Sequence, residues 1–296
     1  MDKKNIVLVV PYRGIGDIIF HIPLIRGLYL YYQKKIILVT NSANKSKFVL
    51  KNEKSIKKIK YVDFTREKLF KNSLNLYRTL NSYKSSFSVL TAPSKRLILP
   101  FILSNGDKKI LFKKTNNKDL SSYIFSQSKE IFKNINFKEN YKLMNLKKNY
   151  DIKNIFVNLD SHHDQNNWKE IYFIDLIKKL LLKKKVNKLF INFSPNKKKK
   201  FFKTINFFKN EKKIFFLYKS NFEIILDSIK SCKYIISNES GPVCLGASFN
   251  KVVFSIYNPK YTPNLSSKSI NKNICYFDSS KLKYNQIISS ILRRIF

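Results

Sequence analysis

Apolar residues recur along this chain in short unbroken runs that alternate with stretches of helical spacing. The run Ile6 to Val10 has no polar interruption, which suits a strand buried on both faces. It stops at Arg13, Gly14, Ile15, Gly16 and Asp17, and an apolar segment of helical spacing resumes at Ile18. These positions predict strand 5–10, a glycine turn, helix 18–32 and strand 35–40, a βαβ unit whose crossover implies a parallel pair. Strands over 59–64, 87–92 and 109–112, with helices over 67–82 and 94–103 between them, continue an open α/β layer pattern.

From 112 to 150 the chain turns polar, with one helical stretch at 123–132. A boundary near Tyr150 divides it into domains 1–150 and 151–296, each long enough for its own core. The second series reads strand 154–159, polar loop 160–168, helix 171–183, strand 188–193, helix 197–208 and strand 213–218. It continues with helix 222–231, strand 234–237, a second glycine turn, helix 242–249, strand 252–256 and a last helix over 281–294. Two series, each with a glycine-bearing strand-to-helix turn, predict two similar α/β lobes.

Charge changes this picture less than its size suggests. The formal net charge is +39, yet only seven of the 58 basic residues are arginines. Lysine, asparagine, isoleucine, phenylalanine and tyrosine are all encoded by A/T-rich codons, so a genome-wide bias competes with a functional explanation. The surface still attracts anionic membrane faces, sugar phosphates and nucleotides. Specific nucleic-acid binding is not expected, because no recognition helix or RNP-type motif is evident. The run Lys197 to Lys200 reads as a solvated helix start. Cys232, Cys244 and Cys275 lie far apart, indicating neither a disulfide framework nor zinc and suiting a reducing cytosol. The N-terminal apolar stretch is too short for a signal-peptide core, and no run approaches the ~20 residues that span a bilayer.

The two turns are the candidate chemistry. A strand that ends at glycines and restarts as a helix builds small-molecule sites in α/β proteins. The first turn lacks both the Walker loop and the third glycine of the dinucleotide fingerprint. By residue type, Asp17 is either the cap of the helix it precedes or a functional carboxylate. The second turn, Ser237, Asn238, Glu239, Ser240, Gly241 and Pro242, is either a phosphate-binding helix start or an ordinary cap by Ser240. Pro242 suits a first helical turn because its missing N–H needs no partner there.

Both turns together resemble glycosyltransferase family 9, the ADP-heptose lipopolysaccharide heptosyltransferases. The family's opening pattern RxGDxxxxxPxxxxL is matched by Arg13 or its neighbour, Gly16, Asp17, Pro23 and Leu28. Its (N/D)(D/E)SGPxHLAAALGKPVVALFGPT segment is similar to the stretch from Asn238 to Pro259. Asn158 and Trp168 flank the counterpart of its phosphate loop, and Ser94, Lys95 and Arg96 resemble its SxR segment. The resemblance implies a GT-B fold, two Rossmann-like lobes with parallel sheets facing a central cleft. Acceptor binding then falls to Arg13, Gly14, Gly16, Ser94 and Arg96 in the first lobe, with Asp17 as general base. Donor binding falls to Asn158, Ser161, His162, Asn166, Glu239, Ser240, Gly241, Pro242 and Cys244 in the second. Two positions depart from the pattern: the family's lysine before the tryptophan is Asn166, and the histidine of SGPxH is Cys244. His162, His163 and Lys169 are the nearby groups that could compensate.

The expected function is an inverting, metal-independent glycosyltransferase in the cytoplasm, peripheral on the inner face of the cell membrane. Its donor would be a nucleotide-diphosphate sugar, with ADP-heptose a candidate, acting as co-substrate rather than cofactor. Its acceptor would be a lipid-linked glycan such as the lipopolysaccharide core. The alternative is a catalytically degenerate relative that binds nucleotide sugars or glycans without turnover.

Overall fold

The computed structural model describes residues 5–65, 69–113, 119–143, 151–161, 164–262 and 265–296. The chain divides into two compact units, Met1–Met144 and Asn145–Phe296. The boundary expected near Tyr150 falls outside the described residues.

The first unit runs β1 (Asn5–Val10), α1 (Ile15–Phe20), α2 (Ile22–Tyr32), β2 (Ile36–Thr40), α3 (Ser46–Val49) and β3 (Ile56–Tyr61). It continues α4 (Leu69–Asn81), β4 (Ser85–Leu90), α5 (Lys95–Leu103), β5 (Lys108–Leu111) and α6 (Leu120–Ile131). Its five strands pair in parallel in the order β3-β2-β1-β4-β5. Ile6 to Val10 are all buried, as an uninterrupted apolar run in a two-sided sheet requires. Val7 and Val9 pack with Leu76, Leu80, Leu97 and Phe101 from α4 and α5.

The single helix expected over 18–32 is two helices that meet at His21. Pro23 lies in the first turn of α2 and has no N–H to continue the ladder from α1. His21 therefore closes α1 and opens α2 with φ −87° and ψ −6°. α1 also begins earlier than expected, at Ile15, which puts Asp17 inside its first turn.

The second unit runs β6 (Asp151–Asn158), α7 (Glu170–Leu181), β7 (Lys188–Asn192), α8 (Phe202–Phe208), β8 (Ile214–Phe216) and α9 (Phe222–Ser231). It ends with β9 (Cys232–Asn238), α10 (Gly241–Ser248), β10 (Val252–Tyr257), β11 (Ile274–Asp278) and α11 (Tyr284–Ile295). Six parallel strands follow the order β11-β10-β9-β6-β7-β8. Strand β11 was not expected; it lies at a sheet edge, its apolar run Ile274 to Phe277 is only four residues long, and one of its five side chains, Phe277, is buried. Helix α8 starts later than expected, behind a 3-10 turn at Pro195–Lys197. Each unit by itself is thus a doubly wound parallel α/β structure, as the alternation predicts.

In both sheets the strand order reverses at one place, between β1 and β4 in the first unit and between β6 and β9 in the second. The crevice outside the carboxyl ends of such strands is where open α/β sheets bind ligands. Among the described residues no helix is long and apolar enough to cross a membrane.

Candidate functional site

In the first unit the turn after β1 carries Arg13, Gly14, Gly16 and Asp17 to the reversal point. The Gly14 N–H donates to Asp17 Oδ2 at 2.8 Å, so the carboxylate folds back over the start of its own helix. A Cβ on Gly14 would lie 2.7 Å from that oxygen and 3.0 Å from its carbon, so a side chain here would displace the carboxylate. Burial pushes the Asp17 carboxyl above the usual carboxylate range, and the Gly14 hydrogen bond pulls it part of the way back. The cap and the functional reading of Asp17 are therefore compatible: one oxygen caps, and the group is a stronger base than a solvated carboxylate.

Behind Asp17 lies His21, fully buried. Its Nδ1 is 2.7 Å from the Asp17 carbonyl oxygen and its Nε2 is 3.0 Å from Thr91 Oγ1. Burial lowers the imidazole from 6.5 to about 4, so it is neutral at pH 7. A carbonyl only accepts, so Nδ1 carries the proton and Nε2 is an acceptor, while the Thr91 hydroxyl, also 3.2 Å from the Val9 carbonyl, shares its single proton between that oxygen and Nε2. Thr91 follows β4, and its backbone N–H donates to the Val9 carbonyl at 3.1 Å. His21 thereby ties α1 to the β1–β4 reversal. Tyr12 packs against it, ring centroids 5.5 Å apart.

Ser94 and Arg96 stand where α5 begins, beyond the carboxyl end of β4. Ser94 Oγ and Arg96 Nη1 are buried atoms with no hydrogen-bond partner among the described residues. Unmet polar groups of this kind point to an absent partner. Arg13 is exposed in the turn beside them in strand order.

In the second unit a polar network joins the ends of β6, β7 and β9. Asn158 Nδ2 donates toward Ser237 Oγ at 3.2 Å, Ser240 Oγ at 3.3 Å and the Asp160 carbonyl, while its Oδ1 accepts from Asn192 at 2.8 Å. Asn238 is fully buried; its Nδ2 donates to the Leu159 carbonyl at 2.7 Å and its Oδ1 accepts the Trp168 N–H at 2.9 Å. Ser240 precedes α10 without capping it; its hydroxyl donates to the Asn238 carbonyl at 2.8 Å. Gly241 and Pro242 open α10, whose N-terminal dipole favours an anion. Ser161 is buried, its N–H donating to Asn167 Oδ1 at 2.6 Å.

Glu239 turns into the structure, accepting hydrogen bonds from Ser255 and Ser267. Burial pushes its carboxyl up, and the two hydroxyls oppose the shift. Ser267 also meets the Tyr276 hydroxyl at 2.8 Å, and burial raises that phenol above its usual range. Cys244 is buried within α10. His162 and His163 lie outside the described residues, as does the side chain of Asn166, whose backbone sits in a 3-10 turn at Asp164–Asn166.

Lys197 departs from the solvated-helix reading. Its Nζ donates to the Ser161 carbonyl at 2.7 Å, pairs with Asp164 at 2.8 Å and approaches Asp160 at 3.6 Å. Lys197 and Lys200 together hold the Asp164 carboxyl down at about 2. A cation therefore stands at the loop that lacks the expected lysine at Asn166. Sequence reasoning also missed His21, Thr91 and Asn192, which become visible only once the reversal points are known.

No family model matches the sequence, and no curated protein matches it. Solved structures do. A glycosyl transferase family 9 protein from Veillonella parvula aligns over 100% of this chain and 90% of its own, with TM-score 0.73 and 14% identity. The ADP-heptose LPS heptosyltransferase II of E. coli aligns over 98% of each chain, with TM-score 0.74 and 12% identity. E. coli heptosyltransferase WaaC, solved with ADP-2-deoxy-2-fluoro heptose, aligns over 98% of this chain and 99% of its own, with TM-score 0.74 and 13% identity. At such identities the likeness is one of fold, and it runs from end to end of the chain.

Proposed function

We propose that this protein is an inverting glycosyltransferase that moves a sugar from a nucleotide-diphosphate donor to a hydroxyl of a lipid-linked glycan. The observation that carries the reading is Asp17: a half-buried carboxylate, raised in basicity and held by the Gly14 N–H, at the reversal point of the first sheet. The end-to-end likeness in fold to heptosyltransferases supports it.

In this mechanism Asp17 accepts the proton of the acceptor hydroxyl. The oxygen forms its bond to the anomeric carbon on the side opposite the diphosphate, whose bond to that carbon breaks with its electron pair. The configuration inverts, and the nucleoside diphosphate leaves. The second unit holds the donor, with the start of α10 receiving the phosphates, while Lys197 braces the segment after β6 through the Ser161 carbonyl and Asp164. Ser94, Arg96 and Arg13 take an anionic group of the acceptor, satisfying the unmet Ser94 hydroxyl and Arg96 nitrogen. The reading includes ADP-heptose as donor, the lipopolysaccharide core as acceptor class, no metal requirement and contact with an anionic membrane from the cytoplasmic side.

A thermal-shift panel of nucleoside diphosphates and their sugars tests the donor half. A ligand that binds only the native state stabilises it by RT ln(1 + [L]/Kd) and so raises the midpoint. ADP or ADP-heptose is expected to raise it selectively; a flat response across all nucleotides would overturn the reading.

A further inference from the structure

We propose that the outward face of α8 is the docking surface for an anionic lipid bilayer, which rests on the membrane contact in the proposed function and gives it a location. Residues 195–210 contain six lysines and four phenylalanines and no acidic residue. The helix inside this stretch is anchored. Phe201, Thr204 and Phe208 are buried, and Glu170 of α7 accepts from the Thr204 N–H at 2.8 Å and its hydroxyl at 2.9 Å. Lys197 and Lys200 turn back onto Asp164.

What remains faces water. Phe202 and Phe207 are each 56% exposed, and Lys198, Lys199, Lys203 and Lys209 are exposed around them. Exposed aromatic rings rimmed by lysines match the interface of an anionic bilayer, where the rings enter the acyl boundary and the ammonium groups stay among the headgroups. The neighbouring carboxylates are engaged elsewhere: Asp164 with the two lysines, Glu170 with Thr204, and Glu211 with the Lys213 N–H at 3.2 Å. A single-stranded nucleic acid would need open ring faces for stacking. One face of the Phe207 ring is taken by Lys178, whose Nζ lies 4.1 Å from the centroid, and the ring packs T-shaped on Phe208, which blocks base stacking there while leaving the rest of the ring exposed. The observations therefore favour lipid.

The test is co-sedimentation of the full chain with phosphatidylcholine vesicles, with and without phosphatidylglycerol. Phe202→Ser/Phe207→Ser and Lys198→Gln/Lys199→Gln/Lys203→Gln are compared with the parent and with Leu99→Ser/Ile102→Ser on the exposed apolar stripe of α5. The parent should bind the anionic vesicles and not the neutral ones, and each α8 variant should lose at least about tenfold in partitioning. The α5 variant should bind as the parent does. Parent-like binding by the α8 variants, equal binding to neutral vesicles, or binding only to a single-stranded oligonucleotide would overturn the proposal. Circular dichroism and the nucleotide thermal shift are measured on the same variants. Vesicle binding through α8 without any nucleotide response would overturn the donor reading alone, whereas a nucleotide response with vesicle binding indifferent to α8 would overturn this proposal alone.

Discussion

Replacing His21 with glutamine keeps a donor for the Asp17 carbonyl and an acceptor for the Thr91 hydroxyl while deleting a titration. In the native state burial holds the imidazole near 4; in the unfolded chain it returns to about 6.5. Between these values the unfolded chain binds the proton and the native state does not, so stability falls as pH falls through that window and is unaffected above it. Linkage puts the loss at roughly 2–3 kcal/mol between pH 7 and about pH 4.5. The raised carboxyls of Asp17 and Glu239 act in the opposite sense, since there the native state binds the proton more readily. Only the difference between parent and His21→Gln isolates the histidine. Urea unfolding at a series of pH values measures it: the parent should lose roughly 2–3 kcal/mol more than the variant on acidification. Curves that stay parallel within about 0.5 kcal/mol would show that His21 is not held neutral, and the tautomer assigned to the Asp17 support would fall with it.

Gly14→Ala would place a methyl 2.7 Å from Asp17 Oδ2 and push the carboxylate off its position. Turnover is expected to fall at least about tenfold while nucleotide binding stays at the parent's level, read by steady-state kinetics beside the thermal shift. Asn238→Ala leaves the Trp168 N–H and the Leu159 carbonyl without their buried partner. It should cost about 2–4 kcal/mol in urea unfolding and weaken the nucleotide response, because the loop from Asp160 to Trp168 loses its tie to β9.

Much of the architecture is legible in the sequence because its signals are local. Ile6 to Val10 announce a two-sided strand, and the turns at Gly14 and Gly241 mark where strands give way to helices at the reversal points. Where the signal is not local, the reading stops short. The helix expected over 18–32 breaks because Pro23 removes a ladder hydrogen bond and a buried histidine bridges the gap. The role of His21 depends on Thr91, 70 residues away, and no spacing rule connects them. Lys197 reads as solvent-facing within a charge run, yet its partners Ser161 and Asp164 arrive from the loop after β6. Edge strand β11 is half-wet, and its apolar run, Ile274 to Phe277, is only four residues long. The site is thus legible as two turns, and the groups that support them become visible only in the fold.

The central claim is that Asp17 takes the acceptor proton, and Asp17→Asn measures it most directly. Asparagine keeps an oxygen for the Gly14 N–H and retains the side-chain shape, but it cannot accept a proton at neutral pH. With the donor identified by thermal shift, the account predicts a fall in kcat of about 10²–10⁴ with donor affinity unchanged within about threefold. Transfer by the Asn variant at the parent's rate would contradict it.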